Sequence, residues 1–267
     1  MNDLAVIYIQ QFKTTFASML QYRASLFIWM IGAVLEPLIY LIVWSTVSLS
    51  RGGSVGDYTA GQFAAYFIVF MLVNQVTYTW IMYEYEYRIR EGLLSPALLR
   101  PVHPIHADIA ENISSKLISM PVMILIAGGL ALIFKPSVTF LPWSILVFIP
   151  ALFLAFLVRF LIEWSLAQSA FWTTRVGAFN QLYFVLVLFL SGQIAPLSLF
   201  PRPIQVLADI LPFRWMIGYP VELILGRLSP LQAVTGLGAQ TIWLIISLGL
   251  VRIVWRAGIR IYSAVGA

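Results

Sequence analysis

The residues able to do chemistry in this chain are few, and most of them sit inside apolar runs. Glu36 interrupts the run from Ser25 to Val47 and is followed directly by Pro37. A carboxylate in lipid is costly, so Glu36 is expected to face the protein interior. There it would contact a substrate, carry a proton, or pair across a helix interface. Arg159 and Glu163 stand four apart in another apolar run, a spacing that brings both onto one helix face as an ion pair. They are expected near the cytoplasmic end of their span, where long side chains reach the interface. Asn74 and Gln75 are amides in a third run and would hydrogen-bond between helices, at about 1 kcal/mol each.

The chemistry that is missing is equally informative. The three lysines follow Phe12, Ser115 and Phe134, so no Gly-Lys-Ser/Thr phosphate-binding loop is present. No Gly-x-Ser-x-Gly nucleophile elbow occurs. His103 and His106 lie between and beside Pro101 and Pro104, and with Asp108 they form the only metal-like grouping; a polar loop between prolines explains them without a metal. With no cysteine, thiolate sites and disulfides are excluded. No acid, base and nucleophile cluster together, which disfavours a membrane-embedded enzyme.

The elements that must position these residues follow from composition. Of 267 residues 61% are hydrophobic and only 10% charged, whereas soluble chains carry about a quarter charged. So much apolar surface requires lipid as solvent, and the net charge of +5 fits cytoplasmic anchoring rather than nucleic acid. The expected fold class is an all-α polytopic membrane protein, one domain over 1–267, with six spans. Residues 1–23 alternate Ile9, Phe12, Phe16, Met19 and Leu20 with Gln10, Lys13, Thr14 and Ser18, which predicts an amphipathic helix at the headgroups. No cleavable signal is expected ahead of span one.

Spans are expected over 25–47, 62–83, 117–134, 143–166, from about 180, and 233–255. Between the second and third lies the longest polar stretch. Here Glu84 with Arg88 and Glu86 with Arg90 are spaced as i,i+4 pairs. Gly92 permits a break, and Ser95-Pro96 reads as a helix cap with a first-turn proline. Leu93, Leu94, Leu98 and Leu99 give the short helix an apolar face, which predicts a docking surface for a soluble partner over 84–104. Residues 191–220 are apolar but hold Gly192, Pro196, Pro201, Pro203, Pro212 and Pro220. Broken backbone at membrane depth must be buried in protein or face water, so short re-entrant helices are expected. With both termini inside, Lys13, Arg23, Arg88, Arg90, Arg100, Lys116, Arg175, Arg252, Arg256 and Arg260 are cytoplasmic. Arg51, Lys135, Arg202, Arg214 and Arg227 are then external, the bias that sets topology.

In this order the segments resemble the permease subunits of type-2 ABC exporters. The resemblance rests on IREGLLSPALLRPVHP (89–104), FWTTRVGAFNQLYF (171–184), LSGQIAPLSLFP (190–201) and LPFRWMIGYPVELILG (211–226), and it covers nearly the whole chain. It implies a bacterial inner-membrane subunit with no nucleotide site and no cofactor of its own. Two six-span permeases, identical or related, would pair, and separate cytoplasmic ATPases would bind ATP and Mg. It further implies that the interfacial helix and Glu84, Arg88, Arg90, Glu91, Leu94, Leu98 and Leu99 receive the ATPase stroke. Gly192, Pro196, Pro201 and Pro212 would belong to an outer gate. The short outer loops argue against a lipoprotein-pulling exporter. A proton-coupled secondary transporter using Glu36 is the alternative.

Overall fold

A computed structural model describes residues 3–173 and 176–262, with the side chains of Asp3, Leu4, Arg23 and Leu26 left out. Arg175 and the side chain of Arg23, both counted above toward topology, therefore lie outside the described residues. The chain is helical nearly throughout. In order come α1 (Asp3–Gln21), α2 (Arg23–Ser50), a two-stranded turn of β1 (Ser54–Val55) and β2 (Tyr58–Thr59), and α3 (Ala60–Thr77). Next are α4 (Ile81–Arg90), α5 (Leu94–Leu98), α6 (Ile105–Phe134), α7 (Pro142–Ala167) and α8 (Gly177–Leu190). Three short helices follow, α9 (Arg202–Ile210), α10 (Phe213–Met216) and α11 (Gly218–Ile224), before the long α12 (Pro230–Ile261).

Among the described residues five helical stretches are long and apolar enough to cross a bilayer: Phe27–Ser50, Ala60–Arg90, Ile105–Phe134, Pro142–Phe171 and Pro230–Ile261. The expected fifth span is the shorter α8, of 14 residues, or about 21 Å at 1.5 Å per residue. That is less than the ~30 Å of hydrocarbon, so the six-span count rests on a helix too short to cross alone.

Local sequence explains the helix ends. Thr59 caps α3 and Ser229 caps α12, each in a capping box with Gln62 or Gln232 three residues on. Pro142 and Pro230 occupy first-turn positions, where the missing N–H is not needed. The expected third span begins at Leu117, yet α6 starts at Ile105 and runs 30 residues. Its first turns carry Asp108, Glu111, Asn112 and Lys116, which belong to a helix and not to a loop.

Two helices make the centre. α3 is buried around its whole circumference, with Phe63, Tyr66, Phe67, Phe70 and Met71 all below a few per cent exposure, and a helix apolar on every face belongs inside. α7 touches α3, α4, α10, α11 and α12. By contrast α2 packs through the stripe Met30, Pro37, Leu41 and Ser48 against α3 and leaves the rest of its surface open. α1 lies along α6. It turns Thr15 and Met19 inward and leaves Ile9, Phe12, Phe16 and Leu20 exposed, an arrangement suited to a lipid-facing side.

The contact of α11 with α12 depends on a glycine. The Tyr219 hydroxyl donates to the Ala233 carbonyl at 2.6 Å, so its ring is fixed over Gly236. A Cβ at Gly236 would lie 2.1 Å from Tyr219 Cε2. Gly236→Ala is expected to destabilise the fold by about 1–3 kcal/mol through overpacking, measured as earlier thermal aggregation in detergent. Gly238, with open space around it, is the matched control.

Candidate functional site

Three polar assemblies stand out, and each joins helices that are distant in sequence. The first lies within the bundle. Arg159 and Glu163 on α7 form a 2.8 Å ion pair and are 2% and 0% exposed. Arg159 also donates to Asn74 Oδ1 at 2.7 Å and to Thr77 Oγ1 at 3.0 Å on α3. Glu163 accepts from the Tyr183 hydroxyl of α8 at 2.9 Å and from Thr79. The pair therefore does not reach to the interface as its position suggested, because partners from two other helices and a break satisfy it inside. That break, Tyr78 to Trp80 between α3 and α4, leaves the Tyr78 carbonyl without a helical donor. Lys116 of α6 fills the role, its Nζ donating to that carbonyl at 2.7 Å. Gln75 reaches Ser119 of α6 at 2.9 Å, so both amides bond between helices.

The second assembly ties the polar segment to the bundle. Arg88 of α4 meets Asp108 of α6 at 2.5 Å, Glu84 one turn back, and Glu111 at 3.6 Å. Asp108, 1% exposed at its side chain, also accepts from Trp164 Nε1 at 2.9 Å and the Tyr85 hydroxyl at 3.2 Å. Charge-assisted bonds to a buried carboxylate make this a rigid joint between α4, α6 and α7. The other residues expected to meet an ATPase divide. Arg90 turns to Glu91 at 3.3 Å rather than to Glu86, and that pair is exposed. Leu99 is 88% exposed and Leu93 48%, whereas Leu94 is 1% exposed and Leu98 half-buried. Leu94 is thus an anchor of α5 and not a docking contact. Ser95 does not cap α5, which starts at Leu94; its hydroxyl instead meets the Tyr262 hydroxyl at 2.9 Å. His103 packs on Trp255 with ring centroids 4.6 Å apart, and burial lowers its pKa below the usual histidine value. Among the described residues no three His, Asp or Glu side chains converge as a metal set.

The third assembly is at the opposite end. Gly192, in the left-handed region at φ 88°, gives its carbonyl to the Tyr66 hydroxyl at 2.8 Å. Pro196 leads into a 3-10 turn, Pro201 starts α9 and Pro212 precedes α10, so the prolines punctuate short helices. Arg214 binds both Asp209 of α9 and, at 3.0 Å, Glu222 of α11, a clamp with no sequence spacing to announce it. Nearby, Gln193 donates to Glu36 at 2.6 Å. Glu36 is not interior to this chain. It is exposed at the middle of the 28-residue α2.

Residues 34–266 match the sequence model of the ABC-2 family transporter protein. The chain belongs to the ABC-2 transporter family. It is accordingly a multi-pass membrane permease of an ABC-type transporter, a class that works with a cytoplasmic ATPase. No curated protein matches it. The match takes in every assembly above and starts two residues before Glu36, leaving out α1 and the first turns of α2.

Sequence reasoning missed Asp108 as the partner of Arg88, Tyr85 and Trp164 as donors to Asp108, and Thr77, Thr79 and Tyr183 as partners of the ion pair. Two threonines flanking Tyr78 within an otherwise apolar run were the available signal for the break.

Proposed function

We propose that this permease forms half of an export pathway in a bacterial inner membrane, with both termini cytoplasmic. A second permease, identical or related, covers the open face of α2, and ATPases carrying ATP and Mg dock on the exposed rim of α4 and α5. The chain itself hydrolyses nothing. α9 to α11 close the outer end, where Gly192, Pro196, Pro201 and Pro212 set the breaks.

One observation carries this reading: Glu36 lies at mid-span on a surface that its own chain leaves uncovered. A carboxylate facing hydrocarbon there costs at least about 2.5 kcal/mol, so that face must meet protein or water. The exposed side chains flanking it, Ile28, Ile31, Leu35, Ile39 and Ile42, are apolar and suit lipid or a second helix alike, so Glu36 is what marks this face. Among the described residues the proton-relay alternative finds no second carboxylate bonded to Glu36, whose partner is the neutral Gln193.

The absence of native cysteine makes the test direct. Leu35→Cys or Ile39→Cys in native membranes is expected to cross-link to a second permease, at about twice the 30.1 kDa of one chain or at the mass of a related subunit. Leu132→Cys, on a lipid-facing turn of α6 and 81% exposed, should remain monomeric. Equal monomer at all three positions overturns the reading.

A further inference from the structure

Lys116 sits at the meeting of two cavities. On one side is a cavity of about 320 Å³ between α1, α2, α6 and the break after α3, whose polar groups come from Ser18, Ser25, Gln75, Asn112, Ser115 and Ser119. Trp29, Tyr78 and Trp80 form its aromatic wall, the side chains favoured where membrane meets water. On the other side is an almost wholly apolar furrow of about 590 Å³ between α6 and α7, walled by Leu117, Ile124, Leu152 and Phe153. The furrow runs toward the middle of α6, and Lys116 Nζ lies 5.2 Å from the Phe156 ring that helps to line it.

The charge of Lys116 is not compensated. Its Nζ donates to the Tyr78 carbonyl and to Asn112 Oδ1, leaving one of three donors, and among the described residues no carboxylate pairs with it. Glu163 on α7 is already held by Arg159, Tyr183 and Thr79. This cavity adjoins, under α1, a second one of about 370 Å³ that shares Ser18, Asn112 and Ser115. That end holds Glu84, Asp108 and Glu111, three carboxylates around the single Arg88 guanidinium. An amine with no carboxylate partner and three carboxylates that share one guanidinium thus stand at the two ends of connected cavities. Glu111 and Lys116 are five residues apart on α6, a rise of about 7.5 Å.

We infer that this groove binds a bilayer lipid with a phosphoethanolamine headgroup: phosphate on Lys116, primary ammonium toward Glu111, one acyl chain in the α6–α7 furrow. The chemistry is matched at each point. A phosphate takes the unused ammonium donor and the serine hydroxyls, and a primary amine supplies N–H to carboxylates that exceed their guanidinium. The apolar furrow opens directly beside the charged group, as the two ends of one amphiphile require. α1 fits the role of cover, since it turns Gln11, Thr14, Thr15 and Ser18 to the groove while its phenylalanines face away. The groove takes Ser25 and Trp29 from the first turns of α2, but Leu35, Glu36 and Ile39, the positions proposed to meet a second permease, do not line it.

The test is native mass spectrometry of the full chain in detergent, with phosphatidylethanolamine, phosphatidylglycerol or phosphatidylcholine added. Phosphatidylethanolamine is expected to be retained best, and Lys116→Gln should weaken its retention about tenfold, the loss of one charge-assisted bond. Glu111→Gln should weaken phosphatidylethanolamine and spare phosphatidylglycerol. Ser18→Trp, on the α1 wall that both cavities share, fills the groove without removing a charge and should reduce retention even if Lys116→Gln folds poorly. Retention of all three lipids alike, or retention unchanged in both Lys116→Gln and Ser18→Trp, overturns the proposal. Free phosphoethanolamine is the parallel arm: its Lys116-dependent binding with no lipid retained overturns the lipid assignment in favour of a soluble ligand of the same chemistry.

Discussion

Glu163→Ala should abolish most of the stability of the bundle, by about 3–5 kcal/mol. The substitution leaves the Arg159 guanidinium, 2% exposed, with only the neutral oxygens of Asn74 and Thr77. It also strips Tyr183 and Thr79 of their acceptor. Thermal unfolding followed by monodispersity in detergent reads the loss. Glu163→Gln should fall between, because its one amide oxygen can still accept from Arg159 and Tyr183, while an N–H group replaces the oxygen that Thr79 uses. The double variant Arg159→Met/Glu163→Leu should recover much of the deficit, since apolar side chains of like volume need no partner there. A Glu163→Ala protein that unfolds with the wild type would show that the pair adds nothing to the fold.

That network also marks how far the sequence alone could be read. The i,i+4 spacing of Arg159 and Glu163 announces a pair on one helix, because spacing within a helix is local information. It says nothing of Asn74, Thr77, Thr79 and Tyr183, which arrive from other helices only when the bundle is packed. The same limit explains Glu36. Cost in lipid dictates that it be covered, but not by which chain, and α2 leaves it uncovered within this one. Four leucines in seven residues read as a single apolar face, yet Leu94 of α5 joins the core and Leu99 just after it is exposed, a division set by packing rather than by composition. Helix ends went astray for another reason. Hydropathy finds the part of a helix that lies in hydrocarbon, whereas the 30 residues of α6 extend about 45 Å and carry Asp108 to Lys116 beyond it.

The extension of α6 braces α4 through Asp108 and Glu111, and Arg88→Leu is the variant that should remove that brace. Asp108 would stay buried with two neutral donors, Tyr85 and Trp164, while Glu84 and Glu111 would lose their shared cation. Breaking one side of a buried pair costs about 3–5 kcal/mol, and here the loss falls on the joint of α4 with α6 and α7. Local opening of α4 should then become at least about a hundredfold more frequent, read as faster amide hydrogen exchange over residues 81–90. Arg90→Leu removes an exposed pair with Glu91 and should leave exchange unchanged, since such pairs contribute little. The partner ATPase should still co-purify with Arg88→Leu, because Leu93 and Leu99 remain at the surface, but its stroke would bend a loosened arm instead of tilting helices. Unchanged protection of α4 in Arg88→Leu would mean that the apolar packing of Ile81, Met82 and Tyr85 holds the arm by itself, and that the charged joint transmits nothing.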